Sequence, residues 1–364
     1  RKSLELRAIA QEVRPHRQDD VYVRLGVFRS LEQKIDKGGR FFKPGTAEPA
    51  INDDTGVKTL TMLKELMAYS NPDFLTYDSN VTQSLWEGGK PTRLDPVTLA
   101  TLGEDDLDGL LREDEGCSAH PRVDARTGEW WNFTSLFGRE NRTAVLRRDA
   151  ARRTTRVADL LMPHSSMAHD FALTDRYAVL LYCPMVLPRI PILLMLGQRG
   201  FAQCLSWKPE LGTKIVLQPR TGGAPRMVST DPRYIYHVIH SFDDGDDVVV
   251  DVCAYTDDAV MRTHREVLFG PIHTPTMPRP ERIRIAPSGQ VKIEPLAERG
   301  IELPRLLTPA GTKYRYAFGA TWRDPRDVFE MVGRLDAEAR TIETGPRVPG
   351  EYPGEPVPVR KAGS

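Results

Sequence analysis

From Asn71 onward the chain is a succession of short β-forming runs, each closed within a few residues by a turn containing Asp, Gly or Pro. Residues 80–86 (N-V-T-Q-S-L-W) end in E-G-G-K-P, L-D-P follows at 94–96, and residues 123–133 read as a turn between two strands. Further runs stand at 176–182, 214–218, 234–240, 247–255, 282–285, 290–293 and 313–318. The 29 prolines and 28 glycines are spread along the whole chain, which keeps turns frequent and leaves little room for long helices. Many short strands at near-regular spacing predict an all-β sandwich, barrel or propeller, and at 364 residues a propeller is the economical choice. No strict repeat marks its blades, so they have diverged or carry insertions. Residues 1–68 are harder to read, with short helical stretches such as 60–67 among charged and turn-forming segments, and no chemistry is assigned there.

Lysine plus arginine equals aspartate plus glutamate at 50 each, so no global field favours nucleic acid or another polyanion. The four cysteines (Cys117, Cys183, Cys204, Cys253) lack C-x-x-C spacing, which argues against a zinc ribbon and a disulfide framework. They read as reduced apolar fillers in a cytoplasmic protein, and the first residues show no signal-peptide core. Residues 182–201 are strongly apolar but broken by Pro184, Pro188, Arg189 and Pro191. The longest clean run there, 192–196, is far below the roughly 20 residues a bilayer span needs. Val186, Leu187, Ile190, Ile192, Leu193, Leu194, Leu196 and Phe201 therefore form either a loop and short helix packed on the core, or an apolar patch that touches a membrane surface and guards a tunnel.

Three of the eight histidines share one setting. His120 (S-A-H-P-R-V-D), His169 (M-A-H-D-F-A-L-T) and His237 (Y-I-Y-H-V-I-H-S-F-D-D-G-D) each stand at the edge of a β-forming run beside an acidic or turn-forming group. They lie 49 and 68 residues apart, about one blade plus its loops, so equivalent strands of successive blades would aim all three at one axis. Imidazoles clustered in this way bind zinc, iron, copper or nickel, and with open positions suit Fe(II) and dioxygen chemistry or a zinc-bound water. The alternative is three unrelated structural histidines. Metal-bound imidazoles commonly donate their second ring nitrogen to a carboxylate, and Glu87, Glu302 and Glu355 stand in fitting turn contexts.

The segments S-L-W-E-G-G-K-P-T-R-L-D-P (84–96), A-H-P-R-V-D (119–124), A-H-D-F-A-L-T (168–174) and Y-H-V-I-H-S-F-D-D-G-D (236–246) occur in one order, continued by I-E-L-P-R (301–305), Y-R-Y (314–316) and G-E-P-V (354–357). Together they resemble the carotenoid cleavage oxygenases, which include stilbene-cleaving members, with coverage from about Asn71 to the end. The resemblance implies a seven-bladed β-propeller, incomplete in this chain, with short helices and loops capping the active-site face and residues 1–364 forming one domain that lacks its first-blade and last-strand portions. It implies a non-haem Fe(2+) held by four histidines, of which His120, His169 and His237 are three, with Glu87, Glu302 and Glu355 orienting the ligands. It further implies O2-dependent cleavage of a conjugated C=C bond into two carbonyl products, with no organic cofactor. His240 stands where the family has Asn, either as a neutral substitution or as a rival ligand. The family's fourth histidine would lie beyond Ser364, so the chain reads as a piece of a longer sequence; a three-histidine variant, or a non-catalytic propeller binding an apolar ligand, is the alternative. Residues 193–219 look most like bacterial apocarotenoid-cleaving members, and Trp86 occupies the place where stilbene cleavers carry a phenol-reading lysine. The implied substrate is an apolar polyene, an apocarotenoid or carotenoid in preference to a stilbenoid.

Overall fold

The computed structural model describes residues 90–95, 100–112, 115–137, 140–188, 204–269, 271–347 and 352–359. The chain separates into compact units Arg1–Ser70 and Asn71–Ser364, and every described residue belongs to the second. The helical stretch expected at 60–67 and the run at 80–86 lie outside the described residues.

The strongest determinant of the fold is written in runs such as D-V-V-V-D-V-C-A-Y. A strand apolar at consecutive positions has to be covered on both faces, because successive side chains point to opposite sides of the sheet. The described residues meet that demand by stacking antiparallel sheets face to face. One sheet joins β3 (Gly116–Cys117), β4 (Arg122–Val123), β5 (Trp130–Leu136), β6 (Asn141–Arg148) and β7 (Thr154–Met162). The next runs β8 (Phe171–Leu173), β9 (Tyr177–Tyr182), β12 (Thr213–Pro219) and β13 (Arg226–Thr230). A short ribbon, β10 (Met185–Val186) paired with β11 (Ser206–Trp207), is inserted between its second and third strands. The third consists of β14 (Tyr234–Asp244), β15 (Asp247–Tyr255), β16 (Arg279–Ile285) and β17 (Val291–Pro295), with helix α1 (Ala259–Phe269) between β15 and β16. The fourth is β18 (Glu302–Arg305), β19 (Tyr316–Thr321), β20 (Met331–Asp336) and β21 (Thr341–Thr344). A separate pair, β1 (Thr92–Leu94) and β2 (Thr101–Glu104), precedes them.

The second, third and fourth sheets are meanders in chain order and the first is one from β5 onward, with β3 and β4 both paired to β5; this is the blade pattern of a β-propeller, and the all-β expectation is met. Alternate residues of one strand serve two neighbouring blades. Val248, Val250 and Val252 of β15 pack with Val179, Leu181, Ile215 and Leu217 of the second sheet, whereas Val249 and Cys253 join Ile301, Ala317 and Leu335 of the fourth. In the same way Ala178, Leu180 and Val216 turn toward Trp131, Phe133 and Val145 of the first sheet. Burying each such side chain contributes about 1.5–3 kcal/mol, so the interfaces between blades are the core.

Arginines stitch the blades further. Arg220 donates to Asp124 and Glu129 of the neighbouring sheet at 2.7 and 2.9 Å, and Arg176 reaches Asp243 at 3.1 Å and the carbonyls of Gly245, Asp246 and Asp247. The four cysteines are free and buried, as expected of apolar fillers. Among the described residues no helix is long and apolar enough to cross a membrane.

Stacking the sheets in this manner brings their first strands together. β8 and β18 both lie against β14, and β5 touches β8. The residues that open these strands therefore meet at one place.

Candidate metal centre

His120 lies on the link between β3 and β4, His169 two residues ahead of β8, and His237 within β14. One ring nitrogen from each lies within 4.8 Å of those of the other two, and this trio is the group of potential metal ligands found among the described residues. His120 Nε2 and His169 Nε2 are 2.9 Å apart. Ring centroids are separated by 4.6 Å (His120–His169), 5.1 Å (His120–His237) and 5.3 Å (His169–His237), each pair edge to face. With metal–nitrogen bonds near 2.1 Å, two ligands at right angles stand about 3 Å apart, so the spacing suits a shared ion. His164 is not part of the cluster.

β14 does not reach this geometry as a regular strand. Its pairing with β15 slips between Ile235 and Val238 and again between Val238 and His240, so His237 sits in a bulged stretch. Bulges re-aim side chains beside functional sites, and here they turn His237 inward while His240 faces elsewhere. His240 Nε2 donates to the carbonyl of Thr312 at 2.7 Å and its ring lies 5.0 Å from that of Tyr314. His240 is thus a buried structural residue outside the cluster, not a rival ligand.

Glu302 reaches His237 by a comparable device. The β18–β19 register shifts between Glu302 and Arg305, and Leu303 adopts φ +54°, a conformation that bulky residues rarely occupy. Glu302 Oε2 accepts from His237 Nδ1 at 2.5 Å and from the Leu303 N–H at 2.8 Å. This bond leaves Nε2 of His237 for the cluster and fixes the tautomer.

The electrostatics divide the trio. Burial pushes His169 down to about 3, helped by its two histidine neighbours, and burial likewise lowers His120. Both rings are therefore neutral at physiological pH and offer lone pairs. Burial also opposes charge on His237, but the charge and hydrogen bond of Glu302 outweigh it and hold its pKa above the ordinary value. The same carboxylate makes the ring a more basic ligand.

Other expected residues stand differently. Glu355 pairs with Arg305 at 2.6 Å, and its charge is felt at His120 and His237 without a hydrogen bond to either. Val186 is half-buried and Leu187 is buried, whereas Glu87, Ile190, Ile192, Leu193, Leu194, Leu196 and Phe201 lie outside the described residues.

The sequence reading missed the groups that surround the cluster. Tyr236 stands edge-on to His169, its ring 5.3 Å away, and its hydroxyl lies 3.4 Å from both Met261 Sδ and His264 Nδ1 of α1. Tyr234 and Tyr255 stack behind it, with the Tyr255 pKa raised by burial and by the charge of Glu302. Arg122 and Asp170 were in plain view, two residues after His120 and one after His169, and form a 2.6 Å ion pair. Their signal was a charged residue in each histidine motif at the entrance to a strand, buried throughout in the case of β8.

Known proteins repeat this arrangement of blades. The chain is 28% identical over 300 residues to apocarotenoid-15,15'-oxygenase of Synechocystis, covering 79% of this chain and 61% of that protein. It is 28% identical over 205 residues to isoeugenol monooxygenase of Pseudomonas nitroreducens, covering 55% of this chain and 40% of that protein. Among solved structures, cobalt-substituted Synechocystis apocarotenoid oxygenase superimposes with a TM-score of 0.66 at 25% identity, over 77% of this chain and 60% of that one. The chain thus spans about three fifths of the length of these Synechocystis relatives. The family model described as retinal pigment epithelial membrane protein matches residues 31–364, and the chain belongs to that family.

Proposed function

We propose that the protein is a non-haem Fe(II) dioxygenase that splits a conjugated C=C bond of an apocarotenoid or carotenoid with O2, giving two carbonyl products. The observation that carries this reading is the convergence of three imidazoles, delivered by three successive blades, within 4.8 Å. His120, His169 and His237 would hold the iron, with Glu302 orienting His237, with Glu87 as a further orienting carboxylate and with Glu355 acting through its charge. An all-nitrogen donor set with open positions suits Fe(II), which when bound supplies a redox-active centre that activates O2 toward an electron-rich alkene.

The remaining work falls to this chain's own residues. Neutral His169 and His120 present lone pairs without first losing a proton. Glu302 holds the Nδ1 proton of His237 throughout, so the ring does not rotate away. Tyr236, braced by α1, offers an aromatic surface beside His169 against which a conjugated chain would lie. The apolar run from Val186 to Phe201 is the proposed entry for a lipid-dissolved substrate at a membrane surface. The names of the relatives, an apocarotenoid oxygenase, an isoeugenol monooxygenase and a carotenoid cleavage oxygenase, support an oxygenase reaction with cleavage among the family's activities.

The test is to purify the full-length protein, measure bound iron, and incubate it under O2 with apocarotenals, hydroxystilbenes and isoeugenol. Aldehyde products from an apocarotenal together with bound iron are expected. Absence of iron and of aldehydes with all three substrates would end the proposal, and cleavage of the phenolic substrates alone would reassign the substrate. His169→Ala is expected to lose iron while His164→Ala keeps it; equal retention would remove His169 from the site.

A further inference from the structure

The segments bearing the three histidines come from three sheets, and one polar knot fastens them together. Asp170 Oδ2 accepts from Arg122 Nη2 at 2.6 Å and from the Val238 N–H at 2.8 Å, while its Oδ1 accepts from the Phe171 N–H at 2.7 Å. Arg122 also donates through Nε to the Phe171 carbonyl at 3.1 Å and through Nη2 to the Val238 carbonyl at 3.3 Å. On the other side of His120, Ser118 Oγ donates to the His169 carbonyl at 3.0 Å and accepts from the His120 N–H at 3.2 Å. The knot thus grips the backbone next to each histidine: two residues from His120 on either side, at and just beyond His169, and just beyond His237.

Its chemistry is a poor choice for stability alone. Asp170 is 4% exposed, and the net gain from a buried ion pair is small, because desolvating both charges consumes most of their attraction. An apolar pair would hold the blades as well. What the ion pair adds is direction: a planar guanidinium accepts only a narrow range of positions for its three oxygen partners. Direction is what this site requires, since Nε2 of His120 and Nε2 of His169 have to be held 2.9 Å apart for one ion to take both.

We propose that Arg122 and Asp170 are positioning residues for the metal, fixing the three histidine-bearing segments against one another so that the histidine nitrogens are already converged before an ion arrives. This rests on reading the trio as a metal centre. Arg220 supplies the comparison, since it links the first two sheets through Asp124 and Glu129 with a side chain that is only 12% exposed, and its one bond to a histidine segment is to the carbonyl of Thr174, five residues beyond His169.

The experiment is a Co(II) titration of the full-length, metal-stripped protein against a competing chelator, with the visible cobalt spectrum and the Tm of the metal-free form recorded alongside. Arg122→Lys keeps the charge facing Asp170 and loses the fork. Cobalt affinity is expected to fall by about 10- to 100-fold with a shifted visible band, while the metal-free Tm stays near wild type. Arg220→Lys is expected to do the reverse, lowering the Tm and leaving affinity and spectrum unchanged. Wild-type affinity and spectrum in Arg122→Lys would overturn the proposal, as would equal weakening by Arg220→Lys. Should Arg122→Lys not fold, the apolar replacement Arg122→Met/Asp170→Leu is read instead: weakened cobalt binding supports the proposal and wild-type binding overturns it. Failure of the unmutated protein to bind cobalt defeats the metal-centre reading and this proposal with it, whereas binding that the variants leave unchanged defeats this proposal alone.

Discussion

Glu302 Oε2 and His237 Nδ1 stand 2.5 Å apart, joined across two blades by residues that both sit where a strand loses its regular register. Neither bulge is explained by its own sheet, since each costs ladder hydrogen bonds. The two irregularities together aim one carboxylate at one imidazole.

Replacing that carboxylate by an amide keeps the shape and removes the charge. Glu302→Gln is expected to weaken metal binding by about tenfold or more, because His237 becomes a less basic ligand with a less certain tautomer. Competition against a chelator measures it, and unchanged affinity would show that Glu302 plays no part in the site.

Gly319 leaves no room beside the backbone that carries this carboxylate. A Cβ there would meet the backbone carbonyl oxygen of Glu302 on the neighbouring strand at 2.6 Å and Cγ1 of the buried Ile301 side chain at 2.5 Å. Gly319→Ala is expected to cost about 1–3 kcal/mol and to weaken metal binding by displacing Glu302. Denaturant unfolding and metal competition report the two effects separately; a variant with wild-type stability would contradict the packing at β18 and β19.

His237 and His240 are three residues apart and are expected to behave differently. His240→Asn retains a donor for the Thr312 carbonyl, and is expected to keep both fold and metal. His240→Leu leaves that carbonyl unpaired and is expected to cost about 1–3 kcal/mol with the metal still bound. Loss of metal in His240→Asn would bring His240 back as a ligand.

Acid sensitivity should reside partly in Glu115. Burial raises its pKa, but hydrogen bonds from Arg156, Thr134 and the Arg112 N–H outweigh this and set it below the ordinary carboxylate value. A depressed folded pKa contributes stability that is complete above the unfolded value of about 4.5 and is lost as pH falls through the lower folded value. Glu115→Gln is expected to be less stable at neutral pH and to show a shallower fall of Tm between about pH 5 and 3; parallel curves for variant and wild type would refute the assignment.

Much of the fold was legible because both faces of the inner strands are buried. The run 247–255 coincides with β15, and 176–182 and 234–240 fall on β9 and β14. Strands such as β6 (N-R-T-A-V-L-R-R) and β7 (T-T-R-V-A-D-L-L-M) went unread, since polar residues break their pattern and only tertiary contact makes them strands. Helix α1 carried a usable start signal in Asp257, whose Oδ1 accepts from the Ala259 N–H, but lay inside a β-rich texture.

The sequence alone determined the all-β class, the repeated setting of His120, His169 and His237, and Glu87, Glu302 and Glu355 as candidate partners, because β-forming runs, turn residues and a histidine beside a polar neighbour are local properties. Only the tertiary structure decided that His237 points into the cluster while His240 points away, that Glu302 reaches His237 through a left-handed Leu303, and that Arg122 and Asp170 bind the three segments together. These depend on bulges and on contacts between residues 48 to 68 positions apart, and a strand's pattern of side chains carries no record of where its register will slip.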